Sequence, residues 1–157
     1  MASREMVNAM LAAAWSLLDS SPKSAAFRRR AVSTAYYAVF HKMAKLCAES
    51  LLPDASRKDL SYQRVYRALD HGPLTNALAQ SPLKDHAVMK TLGPLILRLK
   101  EERHRADYSS PDKALFPLDE AEALLNDAEI VIHLLDQLQP SDRQLLATCL
   151  LFKERKS

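Results

Sequence analysis

Apolar residues recur every three or four positions along nearly the whole chain, the spacing of one face of an α-helix. Met6, Val7, Met10, Leu11, Ala14, Leu17 and Leu18 predict a helix over 3–18, closed by Asp19-Ser20-Ser21-Pro22. Ser21 is the expected N-cap of a second helix over 22–51, with Pro22 in its first turn. Its expected apolar face is Phe27, Ala31, Ala35, Tyr36, Val39, Phe40, Met43, Leu46 and Cys47. A third helix is expected over 57–69, stopped by Asp70-His71-Gly72-Pro73, and a short helical piece over 73–80. The next stretch, 84–107, carries Gly93-Pro94, where the missing proline donor predicts a kink or a split. The cleanest pattern covers 118–138, with Asp119, Glu120 and Glu122 suiting the positive end of the helix dipole. After Pro140, Ser141 is expected to cap a last helix over 141–156. The pattern predicts one all-α, up-and-down helical bundle of about five to six helices, a single domain over 1–157 with about three quarters of residues helical.

Composition sharpens this. Two glycines in 157 residues, roughly 1% against an average near 7%, leave too few for the turns and bulges of a hairpin-rich β fold. Gly72 and Gly93 also stand alone, so no glycine-rich phosphate loop exists. No apolar run approaches the roughly 18 residues of a membrane span, and the first residues lack the layout of a signal peptide, which predicts a cytoplasmic protein with no membrane partner. Cys47 and Cys149 fall within apolar helical patterns and read as buried free thiols; two cysteines make no cysteine-rich zinc site. The net charge of +3 is compatible with a polyanion and diagnostic of nothing.

Two polar constellations interrupt the apolar pattern. Arg30, Thr34, Tyr37 and His41 form a stripe along the second helix, opened by three consecutive arginines, 28–30. Later, Arg98-Leu-Lys-Glu-Glu-Arg103-His104-Arg105-Ala106-Asp107-Tyr108-Ser109 places Arg98 four residues before Glu102, Arg103 four before Asp107, and His104 on one face with Tyr108. Both also suit ordinary roles: a solvated helix end with two ion pairs, and interfacial packing of Tyr37 and His41. His71, His86 and His133 are scattered, no histidine pair has metal spacing, and no serine sits in a nucleophile elbow, so neither metal nor cofactor is expected.

The run Arg29-Arg30-Ala-Val-Ser-Thr-Ala-Tyr36-Tyr37-Ala-Val-Phe40-His41 resembles the second-helix signature of the HEPN superfamily of small α-helical proteins, and Arg103-His104-Arg105-Ala106-Asp107-Tyr108 resembles its later signature. Order, spacing and helical layout agree over essentially the whole chain. The resemblance implies a homodimer formed about the later helix, and the apolar residues Val88, Leu92, Leu95, Ile96 and Leu99 with those of the last helix are expected to supply its surface. Active members are metal-independent endoribonucleases whose motif is an Arg, a polar residue, three variable residues and a His. The His moves a proton at the 2′-hydroxyl and the Arg steadies phosphate charge. Carried over, Arg103 matches the motif Arg and His104 the polar position, while Tyr108 stands where the His belongs. Tyrosine is a poor base near pH 7, although it can hydrogen-bond a phosphate or stack on a base. The candidate catalytic set is therefore Arg103, His104 and Tyr108. The candidate phosphate- or RNA-binding set is Arg30, Tyr37, His41, Arg105 and Asp107, and Arg103 is expected to line a basic cleft with Arg30, Tyr37, His41 and Tyr108. Many members act beside a small nucleotidyltransferase as toxin–antitoxin or defence pairs; this chain lacks the Gly-Ser and paired-Asp motif of such an enzyme, so that antitoxin would be a separate protein. Three readings stay open: a ribonuclease-like toxin, a silent RNA- or nucleotide-binding module, and a protein-interaction bundle stabilised by the Arg103–Asp107 pair.

Overall fold

The helical recurrence is realised as seven α-helices and one short 3-10 turn, with no strand, among the described residues of the computed structural model, 2–154 for the backbone and 6–154 for the side chains. In chain order the helices are α1 (Ala2–Ser20), α2 (Ala25–Leu51), α3 (Leu60–Ala68), α4 (His71–Ala79), α5 (Met89–Tyr108), α6 (Leu118–Asp136) and α7 (Pro140–Leu151). This is an all-α helical bundle with one or two more helices than the five to six expected. No helix among the described residues is long and apolar enough to cross a membrane.

Contacts group the chain into two compact units. One joins the chain up to Lys42 with Leu95–Leu134; the other joins Met43–Pro94 with the chain from Leu135 onward. In the first unit the buried residues include Val7, Ala14 and Leu18 of α1, Ala31 to Val39 of α2 except the half-buried Thr34 and Tyr37, Ile96, Leu99 and Ala106 of α5, and Ala121, Leu124, Leu125, Ala128 and Val131 of α6. In the second they include Met43, Leu46 and Cys47 of α2, Leu74 and Leu78 of α4, and Leu146 and Leu150 of α7.

Several boundaries depart from expectation for local chemical reasons. Ser24, not Ser21, caps α2, its hydroxyl accepting from the Phe27 amide, and Pro22 lies in the preceding turn. Asp70-His71-Gly72-Pro73 follows the end of α3 at Ala68, as expected, but the next helix starts within it at His71, two residues before the expected Pro73. The Asp70 carboxylate accepts from the His71 amide at 2.7 Å, and Pro73 falls in the first turn of α4, where its absent N–H is no loss. The 84–107 stretch does not split at Gly93-Pro94, because α5 runs through Pro94. It breaks at 86–88, where His86 Nδ1 accepts from the amides of Val88 and Met89 at 3.2 Å each and so caps α5. That leaves the hydrogen on Nε2, which donates to Asp142 Oδ1 at 2.9 Å. Pro140 is the first residue of α7 with Gln139 as N-cap, so Ser141 is not the cap, and the helix ends at Leu151; the expected end at Lys156 lies outside the described residues.

Two expectations about surface are also revised. α2 does not present one apolar face. Val32, Ala38, Ala44 and Ala48 are buried as well as the expected positions, whereas Phe27 is exposed and Phe40 half-buried. The apolar face offered as a dimer surface is largely spent inside the chain. Leu92, Ile96 and Leu99 are fully buried, and Val88 and Leu95 half-buried.

Candidate functional site

Within the first unit, the two polar constellations meet. Arg103, on α5, is only 9% exposed, and its guanidinium carbon lies 5.2 Å from the Tyr36 ring centre and 5.6 Å from that of Tyr37. Cation–ring contacts of this kind gain strength when water is excluded. The two tyrosine rings meet edge to face, 5.6 Å apart. Burial raises the Tyr36 pKa, against the opposing pull of Arg103, so the phenol stays neutral beside the cation. One turn on, Asp107 Oδ2 sits 3.7 Å from Arg103 Nη1, the expected four-residue pair. Arg103 Nε is sealed from solvent and has no hydrogen-bond partner.

His104 and Tyr108 occupy the neighbouring, outward face of α5. Their ring centres lie 4.8 Å apart, and Tyr108 is 70% exposed. Arg105 is taken up within the chain: it pairs with Glu102, lies 3.8 Å from Glu120 and stacks 5.0 Å over the Phe116 ring. The expected Arg98–Glu102 pair does not form, since Glu102 is held by Arg105 and Arg98 reaches Asp127 of α6 at 3.4 Å.

On α2, Arg30 is exposed while Thr34, Tyr37 and His41 are half-buried, and Thr34 donates its hydroxyl back to the Arg30 carbonyl at 2.8 Å. Burial lowers the His41 pKa, which keeps its imidazole neutral near pH 7. A cleft of about 260 Å³ is lined by Ala26, Arg29 and Arg30 of α2 and by Ala106 and Asp107 of α5. Arg30 and Asp107 of the expected site therefore share a cleft; Arg103, Tyr37, His41 and Tyr108 are not among its lining residues.

Two arginines named in the sequence only as members of runs, and not among the candidate site residues, organise this end of the unit. Arg29 donates to the carbonyls of Ala106 (2.7 Å), Ser109 (2.5 Å) and Ser110 (3.4 Å), fastening the end of α5. Arg28, 6% exposed, donates to the carbonyls of Pro22 (3.0 Å), Lys113 (2.8 Å) and Phe116 (2.7 Å). Phe116 itself is buried with φ 55, the left-handed region that a bulky side chain rarely adopts, so its carbonyl and ring must be held in place. The available signal was position: Arg28 precedes Ala31, Val32 and Ala35 on the buried side of α2, so it could not share the solvated fate of Arg30. Among the described residues no group of three or more His, Cys, Asp or Glu side chains could hold a metal ion. Compared with protein-family models, curated proteins and solved structures, the chain finds no match in any of the three.

Proposed function

We propose that this chain is a HEPN-like RNA- or nucleotide-binding protein with weak or no ribonuclease activity. The observation that carries the reading is the meeting of Arg103 with Tyr36 and Tyr37, which unites two sequence segments over sixty residues apart. The tyrosine at position 108 takes the place where a proton-transferring histidine is needed, so binding outlasts catalysis. The partners that accompany this reading are a second copy of the chain and a separately encoded nucleotidyltransferase-type antitoxin.

The test is incubation of the pure protein with total RNA in EDTA, followed by gel analysis of binding and cleavage. Wild type is expected to shift RNA at low salt and leave it intact, and Tyr108→His is expected to introduce or raise cleavage. Absence of binding to RNA and to ATP alike overturns the reading. Robust cleavage that survives Tyr108→Phe overturns the assignment of position 108 and turns attention to His104 and His41. A second reading, a non-catalytic dimeric interaction bundle, is favoured by one observation: Arg28, Arg29, Arg103 and Arg105 are all engaged by the chain's own groups.

A further inference from the structure

We infer that Arg30, and not the motif arginine Arg103, is the side chain that meets a phosphate group on this protein. The inference rests on the reading that this region binds phosphate-bearing ligands, and it follows from asking which guanidinium is able to reach one. Arg28 is buried and donates to carbonyls from three places in the chain. Arg29 donates to three carbonyls at the end of α5. Arg105 is occupied by Glu102, Glu120 and the Phe116 ring. Arg103 is 9% exposed and stacked on two tyrosines beside Asp107, and its unpartnered Nε–H is sealed from solvent, so no ligand touches that donor without displacing the packing. Drawing Arg103 out would forfeit both ring contacts and strand Asp107, a cost a single phosphate contact does not offset.

Arg30 is the exception. Its side chain is exposed, no hydrogen bond or ion pair among the described residues engages its guanidinium, and it lines the cleft with Ala26, Arg29, Ala106 and Asp107. The two alanines leave room for a bulky anion. Among the described residues the cleft's one carboxylate, Asp107, is offset by Arg103 at 3.7 Å, so the fixed charges of Arg29 and Arg30 dominate locally. A free planar guanidinium beside a second, immobile one is suited to a tetrahedral oxyanion, which it grips through two parallel N–H donors. Arg103 then acts as a positioning residue, keeping Asp107 and the end of α5 in place under the cleft. The shared ligand chemistry is a phosphate group, from an RNA backbone or a free nucleotide.

The experiment is a set of titrations with a single-stranded RNA oligonucleotide, with ATP and with pyrophosphate, over a range of salt, for wild type, Arg30→Gln, Arg30→Lys and Arg103→Gln, each with a melting curve. Arg30→Gln is expected to lower affinity about tenfold and to flatten the log–log salt slope for RNA by about 0.7, the contribution of one single-strand phosphate contact. Its melting temperature should match wild type. Arg30→Lys should restore the slope but only part of the affinity, because a point charge replaces the fork. Arg103→Gln should melt earlier yet, well below its transition, keep the wild-type slope. Arg30-dependent binding of ATP or pyrophosphate without RNA binding supports the inference and assigns the phosphate to a nucleotide. Wild type that binds RNA with an affinity and slope indifferent to Arg30→Gln overturns the inference and leaves the broader reading intact. Wild type that binds none of the three probes overturns both.

Discussion

Arg28 is the side chain on which the ordering of the segment after α5 depends most. Three carbonyls accept from it, including that of Phe116, whose left-handed backbone is held against its own preference. Arg28→Met keeps the apolar stem and removes all three bonds, leaving partly buried carbonyls unpaired. The expected loss is on the order of 3 kcal/mol, measured by urea denaturation. His41 supplies a pH dependence of defined sign. Burial holds its folded-state pKa below the ordinary 6.5, so the unfolded chain takes up the proton first as pH falls. Stability is therefore fully present above about pH 6.5 and declines as pH drops through the interval between the unfolded and folded values. His41→Gln should flatten that part of a stability-versus-pH curve, and an unchanged curve would count against the burial assigned to this ring. The two thiols differ in a parallel way. Burial pushes the Cys47 thiol up to about 12 and raises that of the half-buried Cys149, so alkylation at neutral pH should label Cys149 first and Cys47 only on unfolding.

At the scale of the element, α5 carries a testable oddity: Gly93 is buried within a helix and followed by Pro94. A Cβ placed on Gly93 would meet the Leu78 carbonyl oxygen at 3.5 Å, an ordinary contact, and the residue's backbone is helical. The ring of Pro94, however, crowds a Cβ on a helical residue directly before it. Gly93→Ala is therefore expected to forgo the roughly 1 kcal/mol gain of an ordinary helical Gly→Ala exchange, read as a melting temperature no higher than wild type. The helices themselves were legible because apolar recurrence at helical spacing survives every loop in the chain. Their ends were not, because caps depend on which nearby side chain reaches an amide: Ser24 instead of Ser21, and the ring of His86 instead of a break at Gly93-Pro94. Within the candidate site, the Arg103–Asp107 pair follows from four-residue spacing and was readable. The stacking of Arg103 on Tyr36 and Tyr37 joins distant segments, and no local periodicity encodes it. Of the three consecutive arginines, only the buried one was marked by spacing, because Arg28 lies three, four and seven positions before Ala31, Val32 and Ala35; the half-buried Arg29 and exposed Arg30 carry no such mark.

For the whole molecule, the homodimer belongs to the proposed function and must find its surface elsewhere than on Leu92, Ile96 and Leu99, which the chain already buries. Light scattering is expected to give about twice 17.6 kDa; a monomer at micromolar concentration would count against a second copy as partner. The central claim is that the region where the end of α5 meets α2 binds phosphate-bearing RNA or nucleotide. Counterion release makes such binding fall linearly in log affinity against log salt, whatever the RNA sequence. The most direct test is the affinity of the wild-type chain for single-stranded RNA in EDTA, measured from about 50 to 200 mM salt. The account predicts measurable binding at the low end, a steep loss toward the high end, and intact RNA throughout. No binding of RNA and none of ATP at the lowest salt, or an RNA affinity that ignores salt, would contradict it.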